Sequence, residues 1–338
     1  PAGTVIAREQ NYIYTFHKDN AALQAAAPVK ETETQAIYSG KNFKAVFDKK
    51  SGMLVSYKYN GMEYILNGQG LHPNFWRAPI DNDYGAGLPH KLGGWKEVSY
   101  GDVTGAVFNA RNGEVTCSYK FPKADASWDI TYKIYADGVI KVNNRFVAAN
   151  EKTPMIPRIG LRMQMPETFT TLTYYGRGPE ENYRDRRTSQ FFGEYSLPIK
   201  DMYEPYIRPQ ENNHRTDIYW CAFTNKSGAG LLLVADRTFE LNASNHPLET
   251  LDSGDDLHNA APRTAETDHR HLTDPKPEKV VDVFVDYRMM GIGGDNSWGA
   301  LPHEPYLIRT GSGNAIEYGF TLVPFGRKVD FRNLIYQY

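Results

Sequence analysis

Trp128, Ile130, Tyr132 and Ile134 fall on one side of a two-residue alternation, and Asp129, Thr131 and Lys133 fall on the other. Successive side chains of an extended strand point to opposite faces, so the run predicts a strand with one face in a core and the other towards water. Val281, Val283, Val285 and Tyr287 repeat the pattern against Asp282, Asp286 and Arg288, with Phe284 as the exception on the polar side. Asn60-Gly61, Asn112-Gly113 and Asp137-Gly138 each separate two strand-like runs. Such dipeptides accept the left-handed angles of tight hairpins, which makes the flanking strands antiparallel neighbours. Asn225-Lys226-Ser227-Gly228 divides residues 219–223 from residues 230–234 as a longer hairpin loop. Helical signal is thin. Residues 20–27 read as a short helix or linker stopped at Pro28, and residues 247–258 read as a loop.

No internal repeat or low-complexity segment interrupts this pattern, so the expected fold is all-β, one large antiparallel sandwich after a short leading segment of residues 1–35. About 35 residues cannot enclose a core. The leader reads as the tail of a preceding domain. The whole chain, at 338 residues with 41% hydrophobic and 13% aromatic content, is long enough to bury a large one.

Charge and composition exclude several classes. A formal net charge of -2, with both signs interspersed, lacks the basic footprint of nucleic-acid binding. Apolar runs stay well short of the ~18 residues of a membrane-spanning helix, and the first residues lack signal-peptide character. Cys117 and Cys221 each sit in a strand-like run, where a buried free thiol is expected, and they leave the compartment open.

Candidate chemistry concentrates in a few clusters. Gly291-Ile292-Gly293-Gly294-Asp295-Asn296-Ser297-Trp298-Gly299 follows a strand-like run. Four glycines in nine positions allow an irregular path that presents one large rigid indole at a fixed place, either as a sugar-stacking surface or as a plug at the end of a sandwich. No Gly-Lys-Ser/Thr follows, which argues against a phosphate loop. The stretch Asn74-Phe75-Trp76-Arg77-Ala78-Pro79-Ile80-Asp81-Asn82-Asp83-Tyr84-Gly85 places an arginine and two carboxylates around a proline-stiffened turn. It could bond sugar hydroxyls, or its Arg and Asp could pin a loop. Leu92 stands where an EF-hand loop starting at Asp81 would need an acid.

Residues 174–186 hold Glu180, Glu181 and Asp185 among Arg177, Asn182, Arg184 and Arg186. A glycosidase needs two carboxyl groups opposed across a bond, and adjacent glutamates on a strand would point apart. His269 and His271 would share a strand face, but two histidines without a third ligand make no zinc site. His214 or His246, with Glu304 as base, would suit the opening of a sugar ring.

In order along the chain, Arg77-Ala78-Pro79-Ile80-Asp81-Asn82-Asp83, Gly176-Arg177-Gly178-Pro179-Glu180-Glu181-Asn182-Tyr183-Arg184-Asp185-Arg186, Asp201-Met202-Tyr203-Glu204-Pro205-Tyr206, His269-Arg270-His271-Leu272 and the glycine loop resemble the C-terminal sandwich, or small-chain region, of lactose-operon-type β-galactosidases of glycoside hydrolase family 2. The resemblance implies a galactose-mutarotase-like β-supersandwich over residues 36–338. Residues 1–35 would be the tail of a preceding immunoglobulin-like domain and its linker. In that family both catalytic glutamates, and the main magnesium and sodium sites, belong to a separate barrel. No catalytic residue, metal site or cofactor is therefore expected in this chain. The expected partners are a galactoside and the catalytic barrel of the parent, with room for a homo-oligomer of the parent. Trp298 matches the tryptophan that walls the aglycone subsite, and Asp83, Gly85, Asp295 and Asn296 complete the expected substrate-binding set. The alternatives are a free-standing aldose 1-epimerase and a carbohydrate-binding module.

Overall fold

The computed structural model describes residues 7–11, 25–101, 107–148, 155–252, 271–296, 299–309 and 315–338. Seventeen strands run through these residues. The first five are β1 (Val29–Glu31), β2 (Gln35–Ser39), β3 (Phe43–Asp48), β4 (Leu54–Tyr59) and β5 (Met62–Glu63), paired in that order as one sheet. The rest form a second sheet: β6 (His72–Asn74), β7 (Val107–Arg111), β8 (Glu114–Phe121), β9 (Ala126–Ile134), β10 (Ile140–Ala148), β11 (Arg158–Pro166), β12 (Phe169–Gly178), β13 (Phe191–Pro198), β14 (Arg215–Asn225), β15 (Gly230–Ser244), β16 (Val280–Met289) and β17 (Ile316–Phe325). Every pairing among them is antiparallel.

The second sheet branches at β15. Residues 230–235 of that strand pair with β17, whereas residues 240–244 pair with β16, and β14 lies along the opposite edge of both stretches. One branch continues through β10, β9, β8 and β7, and the other through β11 to β6. The five-stranded sheet packs on the first branch. Phe47 of β3 meets Tyr132 of β9 at 5.0 Å between ring centroids, and Tyr57 and Tyr64 donate their hydroxyls to the carbonyls of Gly138 and Gly230 at 2.6 and 2.8 Å. Aromatic bodies fill the space between layers while their polar tips find backbone acceptors. Ala26 bridges Tyr135, so the chain already lies against the sandwich before β1 begins.

The expected hairpins form. Asn60 and Gly61 both take positive φ in the β4–β5 turn, and Gly113 and Gly138 do so in the β7–β8 and β9–β10 turns. Trp128, Ile130, Tyr132 and Ile134 are fully buried, and both cysteines are buried and free.

Three expectations about local structure are corrected. Helix α1 (Asp81–Gly85) occupies part of the stretch read as a turn. It is followed by α2 (Leu88–Lys91) and α3 (Gly93–Tyr100), which no helical reading anticipated, and α3 drives Trp95 against Phe75 in the core. Within the segment read as a loop after Pro247, Leu248–Leu251 forms the short helix α4. The polar side of β16 is also not a solvent face. Asp282 and Asp286 are buried against Arg162 and Arg158 of β11 at 2.8 and 3.0 Å, and Phe284 lies under both guanidinium groups. A neighbouring strand that supplies countercharges makes burial of both faces tolerable.

Candidate functional site

The glycine loop leaves the end of β16 and is gripped by side chains from distant parts of the sequence. Arg77 is 1% exposed, and its guanidinium donates to the carbonyls of Met290 and Gly291 at 2.8 and 3.1 Å. The same group meets both oxygens of Asp83, at 3.0 and 2.8 Å, and Asp83 also accepts from the Ile80 amide at the start of α1. Burial alone would lower the pKa of Arg77, but the Asp83 carboxylate outweighs it and raises the value, which keeps the guanidinium charged. Asn82 donates from Nδ2 to the Ile292 carbonyl at 2.9 Å.

A second grip comes from the segment after β12. Asp185 accepts the Ile292 and Gly293 amides at 3.0 and 2.9 Å, one on each carboxylate oxygen, and Arg186 donates to the Gly293 carbonyl at 2.6 Å. The Gly291 amide donates to the Tyr306 carbonyl at 2.8 Å. A β-carbon at Gly291 would stand 2.6 Å from the Asp185 carboxylate, so a larger residue there would push aside the group that holds the Ile292 and Gly293 amides. At Gly299, where φ is +83, a β-carbon would stand 2.2 Å from the carbonyl carbon of Gly85.

The expected site residues that the structure describes, Asp83, Gly85, Asp295 and Asn296, therefore gather around one loop, but in different roles. Gly85 backs onto Gly299, which places the end of α1 beside the end of the loop. Asp83 is 5% exposed with both oxygens engaged, so it positions Arg77 and the loop and does not present its carboxylate to solvent. Asp295 is exposed and bonds His303, which holds its carboxyl below the usual range, and Asn296 Oδ1 accepts the Ala300 amide at 3.2 Å. Trp298 lies outside the described residues, as do His269 and Arg270. His271 is exposed beside Asp274. Among the described residues no group of three or more His, Cys, Asp or Glu side chains is placed to hold a metal ion.

Glu180 and Glu181 lie beyond the end of β12 and not within a strand. Glu180 receives Gln190, while Glu181 receives the Asn213 amide and the hydroxyls of Tyr183 and Tyr206. Burial raises the Glu181 pKa against these bonds. The pairing considered for sugar-ring opening does not form. His214 is 1% exposed between Asn242 Oδ1 and Glu240 Oε2, at 2.7 and 3.0 Å, while Glu304 is on the surface with Arg309. His246 stacks on Tyr203, and burial lowers its pKa.

A buried polar network around His214 was not foreseen. Arg158 reaches Glu211, Asn242 and Asp286 at 3.2, 2.6 and 3.0 Å, and Glu240 is shared by His214, Arg184 and the Met289 amide. Burial would raise the pKa of Glu240, but His214 and Arg184 hold it below the ordinary range. The one available signal was the matched spacing of Arg158 and Arg162 with Asp282 and Asp286.

The pattern that describes the β-galactosidase small chain matches residues 39–322 of this sequence. The chain belongs to the β-galactosidase small-chain family. It is 33% identical over 313 residues to a β-galactosidase of Priestia megaterium, covering 91% of this chain and 28% of that protein. A β-galactosidase of Streptococcus thermophilus is 29% identical over 333 residues, covering 96% of this chain and 30% of that protein. The small-chain region described here thus spans less than a third of the length of these relatives. Among solved structures, a galactose mutarotase related enzyme from Lactobacillus acidophilus superposes with a TM-score of 0.47 at 10% identity, covering 87% of this chain and 98% of that one.

Proposed function

We propose that this chain is the C-terminal, non-catalytic region of a retaining β-galactosidase of glycoside hydrolase family 2, and that its glycine loop holds Trp298 at the aglycone subsite of the parent enzyme. The observation that carries this reading is the convergence of Arg77, Asn82, Asp185 and Arg186 on the backbone of residues 290–293, which fixes the loop on the sandwich and leaves Asp295 and Asn296 exposed beyond it. An anchored loop suits a stacking wall because a rigid aromatic surface binds with little loss of conformational freedom.

Catalysis belongs to a barrel elsewhere in the parent, which also holds the magnesium and sodium ions. Residues 1–35 are the tail of a preceding immunoglobulin-like domain and linker, whose last part, from Ala26 through β1 to the start of β2, is built into the sandwich. The partners of this region are that barrel and the galactoside it encloses. A free-standing epimerase is disfavoured because His214 is sealed from solvent with both ring nitrogens engaged.

Assay of the 338-residue chain on an aryl galactoside tests the division of labour. No turnover above a buffer blank is expected, since proton transfer and covalent catalysis both need carboxyl groups opposed across the glycosidic bond. In the complete enzyme, Trp298→Ala should weaken acceptor-sugar binding by about 0.5–1.5 kcal/mol beyond lost contact area. Unchanged acceptor affinity would reject the wall.

A further inference from the structure

A polar cleft of about 410 Å³ opens where the segment between β5 and β6 crosses β11, within the size range of small-ligand pockets, about 300–1,000 Å³. Residues 66–69 are strapped to β11 by two backbone bonds, Leu66 N to Gln164 O and Gln164 N to Gln69 O, both 2.8 Å. His72 pairs directly opposite Arg162 across β6 and β11. Arg162 forms the floor. It is clamped between Asp282, at 2.8 and 2.9 Å, and Glu249, at 2.5 and 2.6 Å.

The walls carry unused hydrogen-bonding capacity. His72 Nδ1 lies 2.9 Å from the Gly70 carbonyl, which can only accept, so Nδ1 carries the proton and Nε2 keeps a lone pair. Burial lowers the His72 pKa to about 4, which keeps the ring neutral. Among the described residues neither His72 Nε2 nor the side chains of Asn67, Gln69, Gln164 and Glu278 bond to the protein, although all of them line the cleft.

This chemistry selects a ligand class. An apolar molecule would lose hydration against amides and carboxylates without compensation. An anion would meet Glu278 and an arginine already neutralised by two carboxylates. A metal ion would find Glu249 occupied on both oxygens by Arg162, with Glu278 as the remaining carboxylate. A neutral molecule rich in hydroxyls fits, because each hydroxyl both donates to acceptors such as His72 Nε2 or Glu278 and accepts from the amides. We infer that this cleft is a second carbohydrate site, which takes one neutral pyranose through its hydroxyl groups and is built from none of the residues that hold the glycine loop.

Calorimetric titration of the 338-residue chain with methyl β-galactoside, methyl glucoside and methyl mannoside tests it. Saturable binding of at least one is expected. The side chains of Gln164 and Glu278 make no protein bond among the described residues. Gln164→Ala, which removes one neutral hydrogen bond, should weaken binding roughly three- to tenfold, and Glu278→Gln, which turns a charge-assisted bond into a neutral one, should weaken it by roughly threefold or more. Trp298→Ala should leave it unchanged. Binding untouched by both cleft variants, or no saturation with any of the three sugars, would overturn the inference. Loss of binding in Trp298→Ala alone would place the sugar at the glycine loop, overturning this site while favouring the aglycone wall.

Discussion

Gly299 and Gly85 stand back to back, so close that a β-carbon on Gly299 would lie 2.2 Å from the Gly85 carbonyl carbon. The end of the glycine loop is thereby set by backbone against backbone, at the residue that follows Trp298 in sequence.

Gly299→Ala adds a methyl group to that contact at a position with φ of +83. Overpacking together with a left-handed backbone should cost about 1–3 kcal/mol. The check is a lower urea midpoint for this chain, accompanied in a complete β-galactosidase by weaker acceptor binding.

Asp83→Asn should be costlier. Arg77 is buried, and removing the carboxylate leaves its charge without an ionic partner, a change worth about 3–5 kcal/mol. Replacing both residues, as Arg77→Met with Asp83→Leu, should recover part of the loss in equilibrium denaturation. A double variant no more stable than Asp83→Asn would contradict the account.

Asp185→Asn turns one of two acceptors into a donor facing a backbone amide of the loop. About 1–3 kcal/mol is expected for one amide left unpaired. Hydrogen exchange at Ile292 and Gly293 should quicken in the variant, while amides of β9 and β10 keep their protection.

Asp286 should make stability fall as pH rises through neutrality. Burial lifts its pKa from 3.8 to about 7 against the pull of Arg158. The folded chain therefore keeps a proton that the unfolded chain releases near the ordinary value, so this stabilisation is complete below the unfolded pKa and lost as pH passes about 7. Asp286→Asn imitates the protonated form. Urea titrations from about pH 5 to about pH 8 should show the variant gaining on the wild type as pH increases.

His72 works in the opposite direction. Burial takes its pKa from 6.5 down to about 4, so the unfolded chain binds a proton that the fold refuses. The stability it supplies is present above the unfolded value and drains away as pH falls towards about 4. His72→Gln should flatten this acid limb when compared with the wild type under identical salt.

Local chemistry was readable along the chain and convergence was not. Asn60-Gly61 and Asp137-Gly138 declare their turns because the required backbone angles are properties of those residues themselves. Trp128 to Ile134 declares a strand because one face meets an ordinary apolar core. β16 was half legible: its alternation is real, but Asp282 and Asp286 are buried because arginines of β11 arrive opposite them, and partner strands are invisible from one segment. The helices at residues 81–100 were masked by Gly85, Gly87, Gly93 and Gly94, which break the period into pieces too short to register. Around the glycine loop the clusters holding Arg77 and Asp185 were visible separately, and the possibility that Arg77 and Asp83 pin a loop was visible too. Their meeting on residues 290–293 depends on the sheet topology that brings the ends of β6, β12 and β16 together.

The bond from Gly291 to Tyr306 joins the loop to chain made after it, whereas Arg77 and Asp185 are made long before. During synthesis, then, the loop is made after two of its clasps and before the third. A polypeptide terminated between positions 299 and 306 would carry the glycine loop yet lack this last backbone fastening.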